Sequence, residues 1–286
     1  MKIIIAKNAG FCFGVEKAVN LAETLAANGE GPIYTLGQII HNSRVTERLE
    51  AKGVKVVGKP EDIEKPGKLI IRAHGAPPEL IGSFDRANVE IYDATCPHVK
   101  KIHELAAKRS ASGYEIVIIG DSRHPEVIGI NGWCGGKAHI VNSPEEAAAL
   151  AVKLPASSKL CIVAQTTLTE DFWKKVTEKL KEMFPSVELH KTICGATADR
   201  QKEAVEIASQ SDAMIVIGEK NSSNACKLFD ICNKYCPNAY MAGSAGELPL
   251  EKITRCDTVG ITAGASVPVW VINEVIEKLR FFSEIK

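Results

Sequence analysis

An α/β fold made of three pseudo-symmetric small α/β domains with mostly parallel sheets, arranged about a common centre, is what this sequence predicts. Two observations carry the prediction. The first is a strand–cysteine–helix pattern that occurs three times, at Cys12, Cys96 and Cys194, with separations of 84 and 98 residues. The second is that the intervening segments alternate strand-length apolar runs with helical periodicity, as expected for parallel sheets covered by helices.

Taken in order, Ile3 to Ala6 reads as a strand, Cys12 follows, and Gly14 to Val19 opens a helix whose apolar spacing continues through Leu21 and Leu25. Ile33 to Leu36, Val54 to Val57 and Leu69 to Ile71 are strand candidates, with a helix over Arg44 to Lys52. Val89 to Asp93 is the strand before Cys96, and Pro97-His98-Val99 opens a helix through Ile102 and Leu105. The next strands are Ile116 to Ile119, His139 to Val141 and Leu160 to Ala164, with helices over Pro144 to Ala151 and Asp171 to Met183. Val187 to Ile193 is read as a strand running up to Cys194, and a helix follows through Arg200, Ala204, Val205 and Ala208. Ala213 to Ile217, Ala239 to Met241 and Thr258 to Ile261 complete the strands, and Val269 to Phe281 the helices.

Recurrence at this interval signals an internal repeat. The expected units are residues 1–96, 97–193 and 194–286. If each cysteine strand closes the unit before it, residues 1–12 pair with the third unit, giving a closed pseudo-threefold arrangement. No linker rich in Pro, Gly or Ser divides the chain, so the units are expected to pack directly together.

Composition narrows the function. Among 286 residues, Lys+Arg (35) balance Asp+Glu (35), so the basic excess of a protein that lives on phosphate neutralisation is missing and no nucleic-acid partner is expected. The hydrophobic fraction of 45% suits a folded protein with a sizeable core. The longest apolar runs fall far short of the roughly 20 residues of a membrane helix, so no membrane association is expected. The segment before Lys7-Asn8 is too short for a secretory leader, and a cytoplasmic location is expected. Nine cysteines, an odd number, then argue for metal ligation or redox chemistry over a disulfide framework.

In parallel α/β units, ligands collect where strands end and helices begin. Polar residues crowd those positions here: Gln38 to Asn42, Arg72 to Gly75, Gly120 to Glu126, Gln165 to Thr167, Asn221 to Asn224 and Thr262 to Ser266. Cys12, Cys96 and Cys194 hold equivalent places. A helix N-terminus lowers a thiol pKa, and the thiolate is the form that binds metal. Three such thiolates can hold zinc or an iron–sulfur centre, and spacing alone leaves both open. A 4Fe–4S cluster on three cysteines leaves one iron lacking a protein ligand, able to act as a Lewis acid on a substrate oxygen. Taken singly, each cysteine could equally be an inert core residue; the repeated context sets these three apart. Cys161 reads as core, Cys134 and Cys256 have no identifiable partners, and Cys226, Cys232 and Cys236 are spaced closely enough to form a second metal site.

His41, His74 and His124 each follow a strand end, a setting for donors to an anion or for proton carriers. His98, His103, His139 and His190 lack that setting and read as structural or surface residues. A carboxylate such as Glu126 can deliver a proton near neutrality if a low-dielectric pocket raises its pKa; a helix N-terminal role is the alternative. Thr166 could relay a proton or hold a hydroxyl, or be a turn residue. Ser222, Ser223, Asn224 and Ser266 offer neutral donors that can hold a phosphate or diphosphate at helix starts, capping being the alternative. Neither GxGxxG nor a P-loop is present, so reducing equivalents would come from another protein.

These residues also form a recognisable set. Gly10-Phe11-Cys12-Phe13-Gly14-Val15, Gln38 to Asn42, Arg72-Ala73-His74-Gly75, Asp93-Ala94-Thr95-Cys96-Pro97, His124-Pro125-Glu126, Gln165-Thr166-Thr167, Thr192-Ile193-Cys194, Arg200-Gln201, Asn221-Ser222-Ser223-Asn224 and Gly260 to Ser266 resemble, in order and over nearly the whole chain, the LytB/IspH family. The resemblance implies three α/β domains around a 4Fe–4S cluster and a reductive dehydroxylation. In that reaction 4-hydroxy-3-methylbut-2-enyl diphosphate gives isopentenyl and dimethylallyl diphosphates, the last step of the non-mevalonate isoprenoid pathway. It further implies Cys12, Cys96 and Cys194 as cluster ligands. His41, His74, His124, Ser222, Ser223, Asn224 and Ser266 would bind the diphosphate, Glu126 would donate the proton, and Thr166 would hold the hydroxyl region. Ferredoxin or flavodoxin is the implied electron donor. Asn8-Ala9 replaces the Pro-Arg often found there, Gly195 follows the third cysteine, and Val269 stands where an acidic residue is common. These departures touch loop geometry and remove no ligand. Two other readings remain at this point: a quinolinate-synthase-like enzyme of similar architecture, and a non-catalytic iron–sulfur or zinc protein.

Overall fold

A computed structural model describes residues 1–29, 31–64, 66–86, 89–253 and 255–284. In chain order the first stretch holds β1 (Lys2–Ile5), α1 (Phe13–Asn28), β2 (Ile33–Leu36), α2 (Ser43–Glu50), β3 (Val54–Val57), β4 (Lys68–Ile71), α3 (Pro78–Asp85) and β5 (Glu90–Asp93). Next come α4 (Pro97–Ala111), β6 (Glu115–Ile119), α5 (Pro125–Trp133), β7 (His139–Val141), α6 (Pro144–Lys153), β8 (Lys159–Ala164), α7 (Glu170–Met183) and β9 (Ser186–Leu189). The remainder is α8 (Gly195–Ala208), β10 (Ala213–Ile217), α9 (Ser223–Tyr235), β11 (Ala239–Ala242), α10 (Leu250–Ile253), β12 (Thr258–Ala263) and α11 (Val269–Glu284).

The strands form three four-stranded, all-parallel sheets with orders β3-β2-β4-β5, β7-β6-β8-β9 and β11-β10-β12-β1. Each follows one rule: of its strands in repeat order, the second is on one edge, the first and third are central, and the fourth is on the other edge. In the last sheet the fourth place is taken by β1, paired with β12 from Lys2↔Thr258 to Ile5↔Ile261. The fourth strands are β5, β9 and β1, the ones that precede Cys96, Cys194 and Cys12.

Burial follows from this order. A central strand covered on both faces requires a continuous apolar run, and Ala213–Ile217 of β10 is buried at every position. The edge strands β1 and β5 bury none of their residues fully. Four helices, α3, α4, α5 and α6, start with proline, which tolerates the first turn because its missing N–H has no helical partner there. The chain divides into two compact bodies. Body one is Met1–Glu16, His41–Val45 and Gly195–Lys286, with the β10-centred sheet; body two is Lys17–Ile40 and Thr46–Cys194, with the other two sheets. Among the described residues no helix is long and apolar enough to cross a membrane.

One predicted strand is shorter than expected. Val187 to Ile193 was expected to be extended up to Cys194, but β9 ends at Leu189. Beyond it the Thr192 hydroxyl takes the place of a backbone partner, accepting from Ala164 N at 2.7 Å and donating to Ala164 O at 2.6 Å. This frees the last residues before the cysteine from the sheet ladder.

Gly260, in the middle of β12, is closely packed. A Cβ there would run into the Met214 sulfur, Ile207 Cγ2 and Ser211 Oγ. Gly260→Ala is expected to destabilise the protein by about 1–3 kcal/mol, the usual cost of overpacking, measurable as a lower midpoint in denaturant unfolding at unchanged slope.

Candidate active site

The three repeated cysteines share one local geometry. Each donates its backbone N–H to the carbonyl two residues past the end of the third strand of its own sheet: Cys96 to Ala73 at 2.9 Å, Cys194 to Thr166 at 3.0 Å and Cys12 to Ala265 at 3.2 Å. Each is a half-buried free thiol, and a helix begins at the next residue. Side chains brace the loops. Asp93 accepts from Thr95 N at 2.8 Å before Cys96, Thr192 brackets Ala164 before Cys194, and Glu203 accepts from Lys7 N at 2.6 Å and Asn8 N at 2.9 Å before Cys12.

In body two, the carbonyl that receives Cys194 belongs to the residue that holds Glu126. Thr166 N donates to Glu126 Oε1 at 2.7 Å, and Thr166 Oγ1 to Oε2 at 2.6 Å. Glu126 lies in the first turn of α5 and is 1% exposed. A carboxylate there could have served its own helix end; its side chain reaches Thr166 instead. Burial pushes its pKa up to about 7, outweighing the two Thr166 hydrogen bonds that pull it down. Thr166 is thus a turn residue as well as the partner of the buried acid.

His124 caps α5 by accepting Glu126 N on Nδ1 at 3.2 Å. With Nδ1 as acceptor, a ring proton sits on Nε2. The His74 ring stands edge-on to it, with centroids 5.4 Å apart. Arg72 Nε reaches Gly75 O at 3.4 Å across the loop that carries His74, its guanidinium lying over Gly37. Gly37, at φ +67°, has no side chain to obstruct it.

In body one, His41 is held by segments distant in sequence. Its carbonyl accepts from Ser266 Oγ at 2.9 Å, and Glu219 accepts from both the backbone N and the hydroxyl of Ser43 at 2.7 Å. Arg44 makes a two-pronged bond to Glu274 at 2.6 and 3.1 Å and lies over the Trp270 ring at 4.3 Å. Ser222 caps α9, accepting Ala225 N at 3.4 Å, while Ser223 opens the helix. Asn224 is different. It is 5% exposed and neither amide atom has a hydrogen-bond partner. Its Nδ2 lies beside Gly264, two residues from Ser266. An orphaned buried amide is costly unless a ligand completes it.

The other cysteines do not resemble these. Cys134, Cys161 and Cys232 are buried in apolar cores, and burial lifts their thiols to about 11, about 12 and about 12. Cys226 Sγ donates to Lys220 O at 3.2 Å and Cys236 Sγ to Ser211 O at 3.4 Å. Among the described residues Cys226, Cys232 and Cys236 form no group able to hold a metal. His139 pairs with Glu115 and His190 with Glu188, while His103 is buried against Trp133. No local sequence pattern marks Glu203, Glu219, Arg44 or Glu274, because their partners lie 176 to 230 residues away.

A family model described as LytB protein matches residues 3–280. The chain belongs to the LytB family. A LytB relative from Caldanaerobacter subterraneus, named 4-hydroxy-3-methylbut-2-enyl diphosphate reductase, is 47% identical over 284 residues, 98% of this chain and 97% of its own length. One from Geobacter sulfurreducens with the same name is 43% identical over 286 residues, 100% of this chain and 99% of its own. Among solved LytB-type structures, the E-1-hydroxy-2-methyl-but-2-enyl-4-diphosphate reductase from Plasmodium falciparum superposes with a TM-score of 0.92 at 30% identity, covering 96% of this chain and 87% of that one. A second, described as (E)-4-hydroxy-3-methyl-but-2-enyl diphosphate reductase, the terminal enzyme of the non-mevalonate pathway, gives 0.72 at 40% identity, covering 98% and 100%. LytB proteins are iron–sulfur enzymes.

Proposed function

We propose that this chain is a 4-hydroxy-3-methylbut-2-enyl diphosphate reductase, giving isopentenyl and dimethylallyl diphosphates. The reaction consumes two electrons and two protons: the allylic C–O bond breaks, the hydroxyl leaves as water with one proton, and the other proton goes to carbon. Ferredoxin or flavodoxin supplies the electrons, and the enzyme works in the cytoplasm. The observation that carries the reading is Thr166, whose N–H and hydroxyl hold a buried carboxyl of pKa about 7 while its carbonyl holds the Cys194 loop.

Cys12, Cys96 and Cys194 are the ligands of a 4Fe–4S cluster in this reading. The donor chemistry fits: they are half-buried thiols just before helix N-termini, whereas burial keeps Cys134, Cys161 and Cys232 as protonated thiols. When bound, the cluster supplies electrons one at a time and a Lewis-acidic iron without a protein ligand. Functional boundaries near 96/97 and 193/194 follow from the same assignment.

Glu126 stores the proton. Near neutrality its carboxyl is partly protonated, and over a 2.6 Å separation that proton can be shared with the Thr166 hydroxyl, which holds the hydroxyl end of the substrate. Ser222, Ser223, Asn224 and Ser266 hold the diphosphate through neutral donors and a helix start, joined by the ring nitrogens of His41, His74 and His124. Ser266 also fixes His41 through its carbonyl, so a direct bond from its hydroxyl to phosphate requires that proton to turn away.

The test is anaerobic incubation of the iron-loaded protein with the allylic diphosphate and a reduced one-electron dye. Formation of both five-carbon diphosphates supports the assignment; no consumption of substrate overturns it. Asn224 gives a sharper prediction. Because its amide is unsatisfied without ligand, Asn224→Ala should leave the free protein as stable as before or more so, while raising KM about 10- to 100-fold, the value of a hydrogen bond to a charged group. Unfolding curves and steady-state kinetics on one preparation check both halves.

A further inference from the structure

The Cys12 loop is held by backbone hydrogen bonds and by side chains of one helix. Ala6 N donates to Ile261 O at 2.8 Å, Ala9 N to Ala6 O at 3.2 Å and Cys12 N to Ala265 O at 3.2 Å. Three further backbone groups of the loop are taken by α8. The Glu203 carboxylate spans two successive amides, with Lys7 N on Oε1 and Asn8 N on Oε2, and also accepts the Asn8 side-chain Nδ2 at 3.0 Å. One turn earlier, buried Arg200 donates Nη2 to Gly10 O at 2.7 Å and Nη1 to Ala196 O of its own helix at 2.9 Å. Residues three apart share a helix face, so one face grips the loop at both ends. Gly10 permits this: its φ of +107° suits glycine and turns the carbonyl to the guanidinium.

We propose that Arg200 and Glu203 are positioning residues for Cys12, fixing the thiolate where it ligates iron. This rests on the assignment of Cys12 as a cluster ligand. Charge-assisted bonds to consecutive amides are among the stronger a loop can receive, and groups behind a metal ligand typically change metal affinity by about 10- to 100-fold. The Asn8 side-chain amide joins the same Glu203 grip.

The experiment measures iron release to a colorimetric chelator from anaerobically reconstituted full-length protein. Compared with wild type are Glu203→Gln, Arg200→Lys, Cys12→Ser, and Val275→Ala as a core control on α11, remote in sequence from the loop. EPR of the reduced proteins is recorded beside it. Glu203→Gln and Arg200→Lys are expected to load iron fully, then release it about 10- to 100-fold faster than wild type, with an altered EPR line shape. Release at the wild-type rate, or no faster than in Val275→Ala at matched loss of unfolding midpoint, overturns the proposal. Full, stable loading of Cys12→Ser would instead overturn the ligand assignment beneath it, so the two failures are distinguishable.

Discussion

Glu126→Gln is expected to lower kcat by about 10²- to 10⁴-fold, the usual value of a positioned general acid, while the visible absorbance and iron content of the protein stay at wild-type levels. Glutamine keeps the shape and can still accept from Thr166 N, but it has no proton to give. The pH dependence follows from the raised pKa. In the folded protein Glu126 is protonated up to about pH 7, in the unfolded chain only to about 4.5. Between these values the folded state binds the extra proton, so this residue's contribution to stability is full below about 4.5 and is lost as pH rises through about 7. Glu126→Gln should therefore gain stability relative to wild type toward pH 8 and lose that advantage toward pH 5. Turnover should fall on the alkaline side as pH rises through about 7 and the carboxyl loses its proton. Thermal unfolding across this range and a kcat–pH profile measure the two effects. Unchanged turnover in the variant would reject Glu126 as the proton donor.

Much of this arrangement is legible in the sequence because it is written in local patterns. The central strands are read from apolar runs such as Ala213 to Ile217, since a strand covered on both faces tolerates nothing else. The pairing of β1 with β12 follows from the repeat logic, since a fourth strand was missing from the last sheet. Strand-end placement likewise marks Cys12, Cys96 and Cys194. Less legible is what depends on a partner far along the chain. Nothing around Glu126 says that its side chain leaves α5 for Thr166, 40 residues on. The Thr192 hydroxyl that ends β9 early imitates a backbone group, which no hydropathy pattern records. The segment His41–Val45 follows a strand of body two, yet Glu219, Glu274 and Ser266 bind it into body one. His103 reads as an ordinary structural histidine, which is how it packs; burial against Trp133 holds its pKa down to about 4, so it stays neutral.

The second large effect concerns the thiolates. Cys194→Ser should cut the iron and sulfide retained after anaerobic reconstitution at least about tenfold, and turnover with it, because a serine hydroxyl is neither ionised near neutrality nor a soft donor. The fold should survive: what Cys194 gives its neighbours is a backbone N–H to Thr166 O, and serine keeps that donor. Cys161→Ala is the necessary contrast. That thiol is fully buried in the β6–β8 core, so the substitution should lower the unfolding midpoint through lost packing yet leave iron content unchanged. The two variants thus separate ligation from stability in opposite directions. Together with Glu126→Gln, which should keep its iron and lose its rate, they divide the candidate site into groups that hold the cofactor and a group that moves the proton. A full-occupancy cluster in Cys194→Ser would remove Cys194 from the ligand set. The Thr166 bridge would then join the buried acid to an ordinary turn, and nothing would tie this carboxyl to the reacting centre.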